Sequence, residues 1–255
     1  MATIKEIYDF LDRTAPFKTA FEFDNVGLLV GDRNLEVTKA LVALDITNEV
    51  CDEAKNLGAQ LIISHHPVIF KALKSLELGS VVANLIQNKI SAICTHTNLD
   101  VAPEGVNFHL AKKLGISEPY PLAYEENRPL GIVGNLSNVM LPDEFAKFVK
   151  EKLNCRGIRY TNLNKKIKKI AVCSGSGGNL VREAHEEHAD AFVIGEIKHS
   201  DILIANHLGV MIVDVGHYKS ENVIIEPLKN KLSKEFEKIE FFVSEKFTDK
   251  IEYLS

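Results

Sequence analysis

A chain of 255 residues, 45% hydrophobic and 25% charged, can bury one large core or two small ones and carries no low-complexity tract. Its net charge of −5 argues against nucleic acid as the main partner, and no apolar run reaches the ~20 residues that span a bilayer. Four scattered cysteines, Cys51, Cys94, Cys155 and Cys173, form no C-x-x-C pair and fit reduced thiols, so a cytoplasmic protein with no membrane partner is expected.

The opening "MATIKEIYDFLDRTAP" reads as an amphipathic helix and not as a signal peptide. Strands are predicted at 39–46, 60–65 and 90–97, with helices at 48–58, 78–89 and 105–115. Thr47 or Asn48 can cap the first of these helices, and Gly58 and Gly115 suit helix stops. Two prolines and several charges predict a loop over 120–129. A second alternation follows: strand 131–136, helix 141–154 with Pro142 in its first turn, and strands near 157–162 and 167–173. Helix 179–189, strand 191–196, helix 200–208, strand 210–216, helix 219–236 and strand 239–245 complete it.

This alternation implies an α/β fold with mostly parallel sheets, in two similar lobes, 1–124 and 125–255, or with segments of the two lobes interleaved along the chain. In such sheets ligands sit beyond the carboxyl ends of the strands. Those ends carry Asp45, the doublet His65-His66, then His96 and Asp100 in the first half. In the second half they carry "SGSGG" (174–178), "GEIKHSD" (195–201) and "GHYKSE" (216–221). Neighbouring side chains in a strand point to opposite faces, so His65 and His66 can share a cavity only where the strand ends, and Pro67 favours an extended turn there.

Imidazole and carboxylate donors without thiolate suit Zn, Mn, Fe, Co or Ni at ~2.0–2.2 Å. Asp100 and Glu221 each have two oxygens that can bridge ions, and His217 and Glu221 stand i, i+4 at a helix start, a turn apart on one face. Each feature has a plainer reading: turn hydrogen bonds for the histidine doublet, an Asx cap for Asp100, a solvated helix start for His217 and Glu221. Five such donors at equivalent strand ends are harder to explain as separate accidents.

Other motifs are weaker. In "HEEH" the pair His185 and His188 stands i, i+3, where the zinc-protease helix needs i, i+4, so an exposed helix face is expected. The glycine-rich 174–178 segment is either a tight turn or an anion cradle, without the full phosphate-loop spacing. The basic "KKIKK" (165–169) is read as a solvated strand edge, and His109 and His207 as packing or surface residues of helices. No G-x-S-x-G elbow is present.

"FDNVGLLVGD" (23–32), "ISHHPVIF" (63–70), "THTNLDVAPEGVN" (95–107), "GEIKHSD" and "DVGHYKSE" (214–221) resemble the Nif-three-like family, known as GTP cyclohydrolase 1 type 2 homologues, in its short form without an inserted domain. The resemblance implies a site for two divalent metal ions in the cleft between two α/β lobes, with His65, His66, Asp100, His217 and Glu221 as ligands, and assembly into a toroidal homohexamer. It places His96 beside the metals as the catalytic acid–base candidate, a task that histidine's ordinary pKa of about 6.5 suits. Many members have Trp where this chain has Phe23, and a histidine where it has Ser200. The function expected is metal-dependent hydrolysis of a nucleotide or small heterocycle. The alternative is a non-catalytic metal-binding module, such as a metal chaperone or interaction scaffold.

Overall fold

The computed structural model describes residues 2–254, which form two compact units. The first comprises residues 2–102 and 225–248, the second 103–224 and 249–254. No helix among the described residues is long and apolar enough to cross a membrane.

The first unit is built on a five-stranded sheet ordered Glu240–Val243, Lys39–Ala43, Leu61–Ser64, Ser91–Cys94, Gly27–Val30. The first four strands run parallel and the last antiparallel. Leu61–Ser64 and Ser91–Cys94 are buried at every position, as strands covered on both faces must be, so their sequences run apolar without alternation. Helix Asn48–Leu57 starts where the Thr47 hydroxyl accepts the Val50 amide and stops at Gly58, which takes the left-handed conformation (φ +69°). The N-terminal helix begins at Ile4: the Thr3 hydroxyl accepts the Glu6 amide while the Glu6 carboxylate accepts the Thr3 amide.

The second unit holds a six-stranded sheet ordered Ser117–Glu125, Arg128–Met140, Ile167–Cys173, Ala191–Ile194, Met211–Asp214, Arg159–Tyr160. Only the Ile167–Cys173, Ala191–Ile194 and Met211–Asp214 strands are parallel to one another; every other pairing is antiparallel. The mostly parallel sheet expected for both halves thus describes the first unit, and the second is mixed. Period-two alternation divides its core: Ile170, Val172 and Val193 face a cluster with Phe145 and Val149, and Ala171, Phe192 and Ile194 face a cluster with Val181 and Ala205.

The difference arises in the segment expected to be a loop. Residues 117–140 form a long hairpin whose turn residues Glu126 and Asn127 both adopt positive φ (+49° and +65°), the signature of a tight two-residue turn. Pro121 is tolerated because its strand lies at the sheet edge. The division expected at 124/125 moves for physical reasons. Helix Val106–Lys113 buries Leu110 and Ala111 in the second unit's core, beside Phe145. Helix Ile225–Glu235 and strand Glu240–Val243 belong to the first unit, where Phe241 and Phe242 pair with Ala40 and Leu41. The helix expected over 219–236 is three pieces: His217–Glu221, a 3-10 turn Asn222–Ile224, and Ile225–Glu235.

Candidate metal centre

In the first unit Ser64 and Cys94 are paired in register, so their chains leave the sheet side by side at the same edge. The His65 amide still donates to the Ala43 carbonyl (3.2 Å) and the His66 amide to Leu44 (2.9 Å), while the Ser64 hydroxyl closes a turn on the His66 carbonyl (2.8 Å). This bend lets both rings approach one place. Their centroids are 5.0 Å apart, and the His96 ring lies 5.2 Å from His65 and 5.3 Å from His66. One nitrogen from each of the three rings falls within 4.8 Å of the others.

Nδ1 of each ring faces an acceptor. Nδ1 of His65 lies 2.9 Å from the Thr95 carbonyl, Nδ1 of His66 3.0 Å from an Asp45 carboxylate oxygen, and Nδ1 of His96 2.9 Å from Asp24. A carbonyl only accepts, so the His65 proton sits on Nδ1 and Nε2 is the donor atom; the Asp45 and Asp24 carboxylate oxygens beside Nδ1 favour the same tautomer in His66 and His96. His65 is fully buried, with Nε2 3.6 Å from the Asp100 carboxylate. Asp100 gets there because the chain after His96 winds into the short helix Thr97–Asp100.

Asp24 anchors this cluster from the loop before the Gly27–Val30 strand. One oxygen faces His96, and the other accepts the Thr97 amide (3.1 Å) and hydroxyl (2.5 Å). Burial works to raise its pKa, but the hydrogen bonds from His96 and Thr97 outweigh it and hold the carboxyl at about 2. Burial likewise pushes the neighbouring Cys94 thiol well above its ordinary range, so it is no thiolate donor.

In the second unit the donors come from a single turn. Gly216 takes φ +83° and the chain enters helix His217–Glu221, so the i, i+4 spacing brings His217 Nε2 to 3.0 Å from a Glu221 oxygen. His217 Nδ1 lies 3.1 Å from Glu196, and the Glu221 side chain is only 4% exposed. A carboxylate this buried needs positive charge at hand, which the His217 ring or a cation can supply. Gly175, at φ +58°, passes so close that a Cβ would overlap a Glu221 oxygen, and the Gly175 amide donates to the Ser220 hydroxyl (3.0 Å). The glycine-rich segment is therefore a tight turn moulded on this helix. Beside it opens a cavity of about 640 Å3 whose lining includes His217, Glu196, Lys198, Tyr253 and an Arg159–Asp214 ion pair.

The structure thus collects His65, His66, His96 and Asp100 in the first unit, and His217 and Glu221 in the second. The first set fits a divalent ion through imidazoles whose Nδ1 atoms face acceptors beside a carboxylate; in the second, His217 has a carboxylate at each ring nitrogen, a place where a cation can stand between imidazole and Glu221. Asp24 and Glu196 were not singled out from the sequence, and Asp45 had no assigned role. A carboxylate that orients a ring through a distant loop, 72 residues away for Asp24, leaves no local spacing to read. Ser200 is exposed and its hydroxyl faces Asp201 (3.3 Å). His185 and His188 are exposed, as expected, with His188 beyond the helix end at φ +55°. The basic strand start is tied to the neighbouring strand: Asp190 accepts the amides of Lys168 and Lys169 and pairs with Lys165 (3.3 Å).

The model of the Duf34/NIF3 (NGG1p interacting factor 3) family matches residues 2–250. A Clostridium perfringens protein named GTP cyclohydrolase 1 type 2 homolog is 34% identical, over 98% of this chain and 99% of its own. A Staphylococcus aureus protein of the same name is 32% identical over 365 aligned positions, which cover 98% of this chain and all of its own, so it carries inserted sequence that this chain lacks. Among solved structures, a hypothetical protein of Staphylococcus aureus superposes with a TM-score of 0.93 at 36% identity, covering 99% of both chains. A Bacillus cereus protein described as related to NIF3 gives 0.93 at 25% identity over the same shares. With its motifs in order along nearly its whole length, this chain belongs to the Duf34/NIF3 family.

Proposed function

We propose that the chain is a metal-dependent hydrolase of a nucleotide or small heterocycle, with His65, His66, Asp100, His217 and Glu221 as the ligand set of a two-ion centre. The observation that carries the reading is tautomeric. Nδ1 of His65, His66 and His96 each faces an acceptor, so the first unit presents a set of Nε2 lone pairs beside a carboxylate. Divalent ions bound there supply Lewis acidity for hydrolysis near neutral pH.

The chain's own residues do the rest. His96, partly exposed, takes or returns a proton at Nε2, while ionised Asp24 holds its Nδ1–H and stabilises the ring when it is charged. Asp45 and the Thr95 carbonyl keep His66 and His65 from turning. The cavity of about 640 Å3 beside His217 has the size of a small-molecule pocket and charged groups of both signs, features a metal carrier or scaffold does not need.

The direct test is to load the protein separately with Zn, Mn, Fe, Co and Ni, incubate it with GTP and follow the purine absorbance. Ring opening with at least one ion, abolished in His96→Ala protein that keeps its metal, is the expected result. Absence of turnover with all five removes the cyclohydrolase reading. The toroidal homohexamer belongs to the same proposal and is read by sedimentation of the metal-loaded chain.

A further inference from the structure

Beside the histidine cluster the first unit displays aromatic surface that the metal ligands do not use. Phe23 is 65% exposed and Phe70 45%. Phe21 and Phe23 lie parallel (4° between planes, centroids 5.8 Å apart), Phe70 lies 6.4 Å from Phe23, and the row ends on His96, 6.5 Å from Phe70. The backbone that carries these rings is pinned. The Phe21 amide donates to the Thr97 hydroxyl (3.1 Å), Asp24 is fixed by His96 and Thr97, and the Asn25 side chain donates to the Ile69 carbonyl (2.6 Å), tying the two aromatic segments together. The carboxylate that orients His96 therefore also sets where Phe23 stands.

We propose that Phe23 is the stacking face of a platform that receives the flat face of a nucleobase-type heterocycle beside His96, with the Phe70 ring, tilted 45° to it, closing one edge. This deepens the hydrolase reading, on which it rests, by naming the face on which the substrate is held. A flat exposed ring next to a proton-transfer group offers a π-face on which a planar aromatic ligand stacks. Stacking of one base on one aromatic ring carries roughly a 5- to 150-fold change in affinity.

The chain contains no tryptophan, so Phe23→Trp introduces a single fluorescent reporter at the platform. The F23W protein is titrated with GTP, ATP, CTP, guanosine and inorganic triphosphate. The expected result is saturable quenching by the nucleotides and by guanosine but not by triphosphate, weakened roughly 5- to 150-fold when Phe70→Ala is added. Phe23→Leu, which keeps the apolar bulk without the ring face, is expected to weaken GTP binding in calorimetry by a similar factor. Any of three results overturns the platform: no quenching by any base, quenching by triphosphate alone, or emission that follows protein concentration and ignores nucleotide, which gives the surface to a second copy of the chain. Elemental analysis of the same F23W samples separates this from the two-ion reading. Bound metal without quenching sinks the platform alone, and quenching by protein that cannot be loaded with metal supports the platform and sinks the two-ion centre alone.

Discussion

The two donor clusters reach similar chemistry by different routes. In the first unit, His65, His66 and His96 stand where adjacent strands leave the sheet, and each is oriented by an acceptor elsewhere in the fold. In the second, His217 and Glu221 need only one turn of helix to meet, and the tertiary structure contributes burial and the close pass of Gly175. A cluster assembled from strand ends is part of the folding core and loses stability when disturbed. A cluster assembled within one turn can lose its function while the fold hardly notices.

The largest expected effect is on His65→Ala. Removing a ring with no solvent exposure opens a void and leaves the Thr95 carbonyl without its donor, so unfolding free energy should fall by ~2–4 kcal/mol along with metal content. His217→Ala should lose metal equally but cost less, ~1–2 kcal/mol: a third of that side chain is exposed, so little packing is lost, and the cost that remains is the buried Glu221 carboxylate left without the ring. Urea unfolding of the two variants, with metal analysis, checks the pair; equal stability losses would break the contrast.

Next comes Gly175→Ala, which combines a left-handed backbone with a methyl group driven against Glu221. It should lower stability by ~1–3 kcal/mol and weaken metal binding in the same variant, read by thermal melts with and without added Zn.

Asp24→Asn should reduce metal affinity or turnover about 10- to 100-fold, because an amide can present a donor where the His96 Nδ1–H needs an acceptor. Glu196→Gln, at a carboxylate 58% exposed, should change them only a few-fold. The same Asp24 gives an acid signature. Its folded pKa of about 2 lies below the ordinary 3.8, so its contribution is complete above pH ~4 and is lost as the pH falls from there toward 2. Urea unfolding of metal-free protein at pH 5, 4 and 3 should show a shallower decline for Asp24→Asn than for the parent.

The smallest effect near neutral pH lies in the cores. Burial raises the Cys51 thiol of the first unit to about 12 and the Cys155 thiol of the second to about 11, from an ordinary 9.0. The unfolded chain ionises first, so stability holds below pH 9 and declines as the pH rises through 11 and 12. Cys51→Ala and Cys155→Ala should each flatten part of that alkaline decline, read by denaturant midpoints from pH 8 to 10.

The donor residues were legible because strand ends and helix starts are local features: the apolar run ending at Ser64, the glycine before His217, the i, i+4 step to Glu221. The hairpin over 117–140 was not, because its turn residues, Glu126 and Asn127, are not the Asn-Gly pair that announces such a turn, and Pro121 suggested a break. The division between units was hidden for another reason. Helix Val106–Lys113 has the same amphipathic pattern whichever core receives it, and strand Glu240–Val243 pairs with a strand some 200 residues earlier.

From its sequence alone, most of this protein's elements, its family motifs and a set of candidate nitrogen and oxygen donors are legible, since these depend on periodicity and on residue chemistry. Only the tertiary structure decides which core each element joins, which acceptor holds each imidazole, and where Asp24 and the aromatic row beside His96 come to stand. Those are contacts between segments far apart in the chain, and the energy that selects them, burial and hydrogen bonding in a packed interior, exists only once the chain has folded.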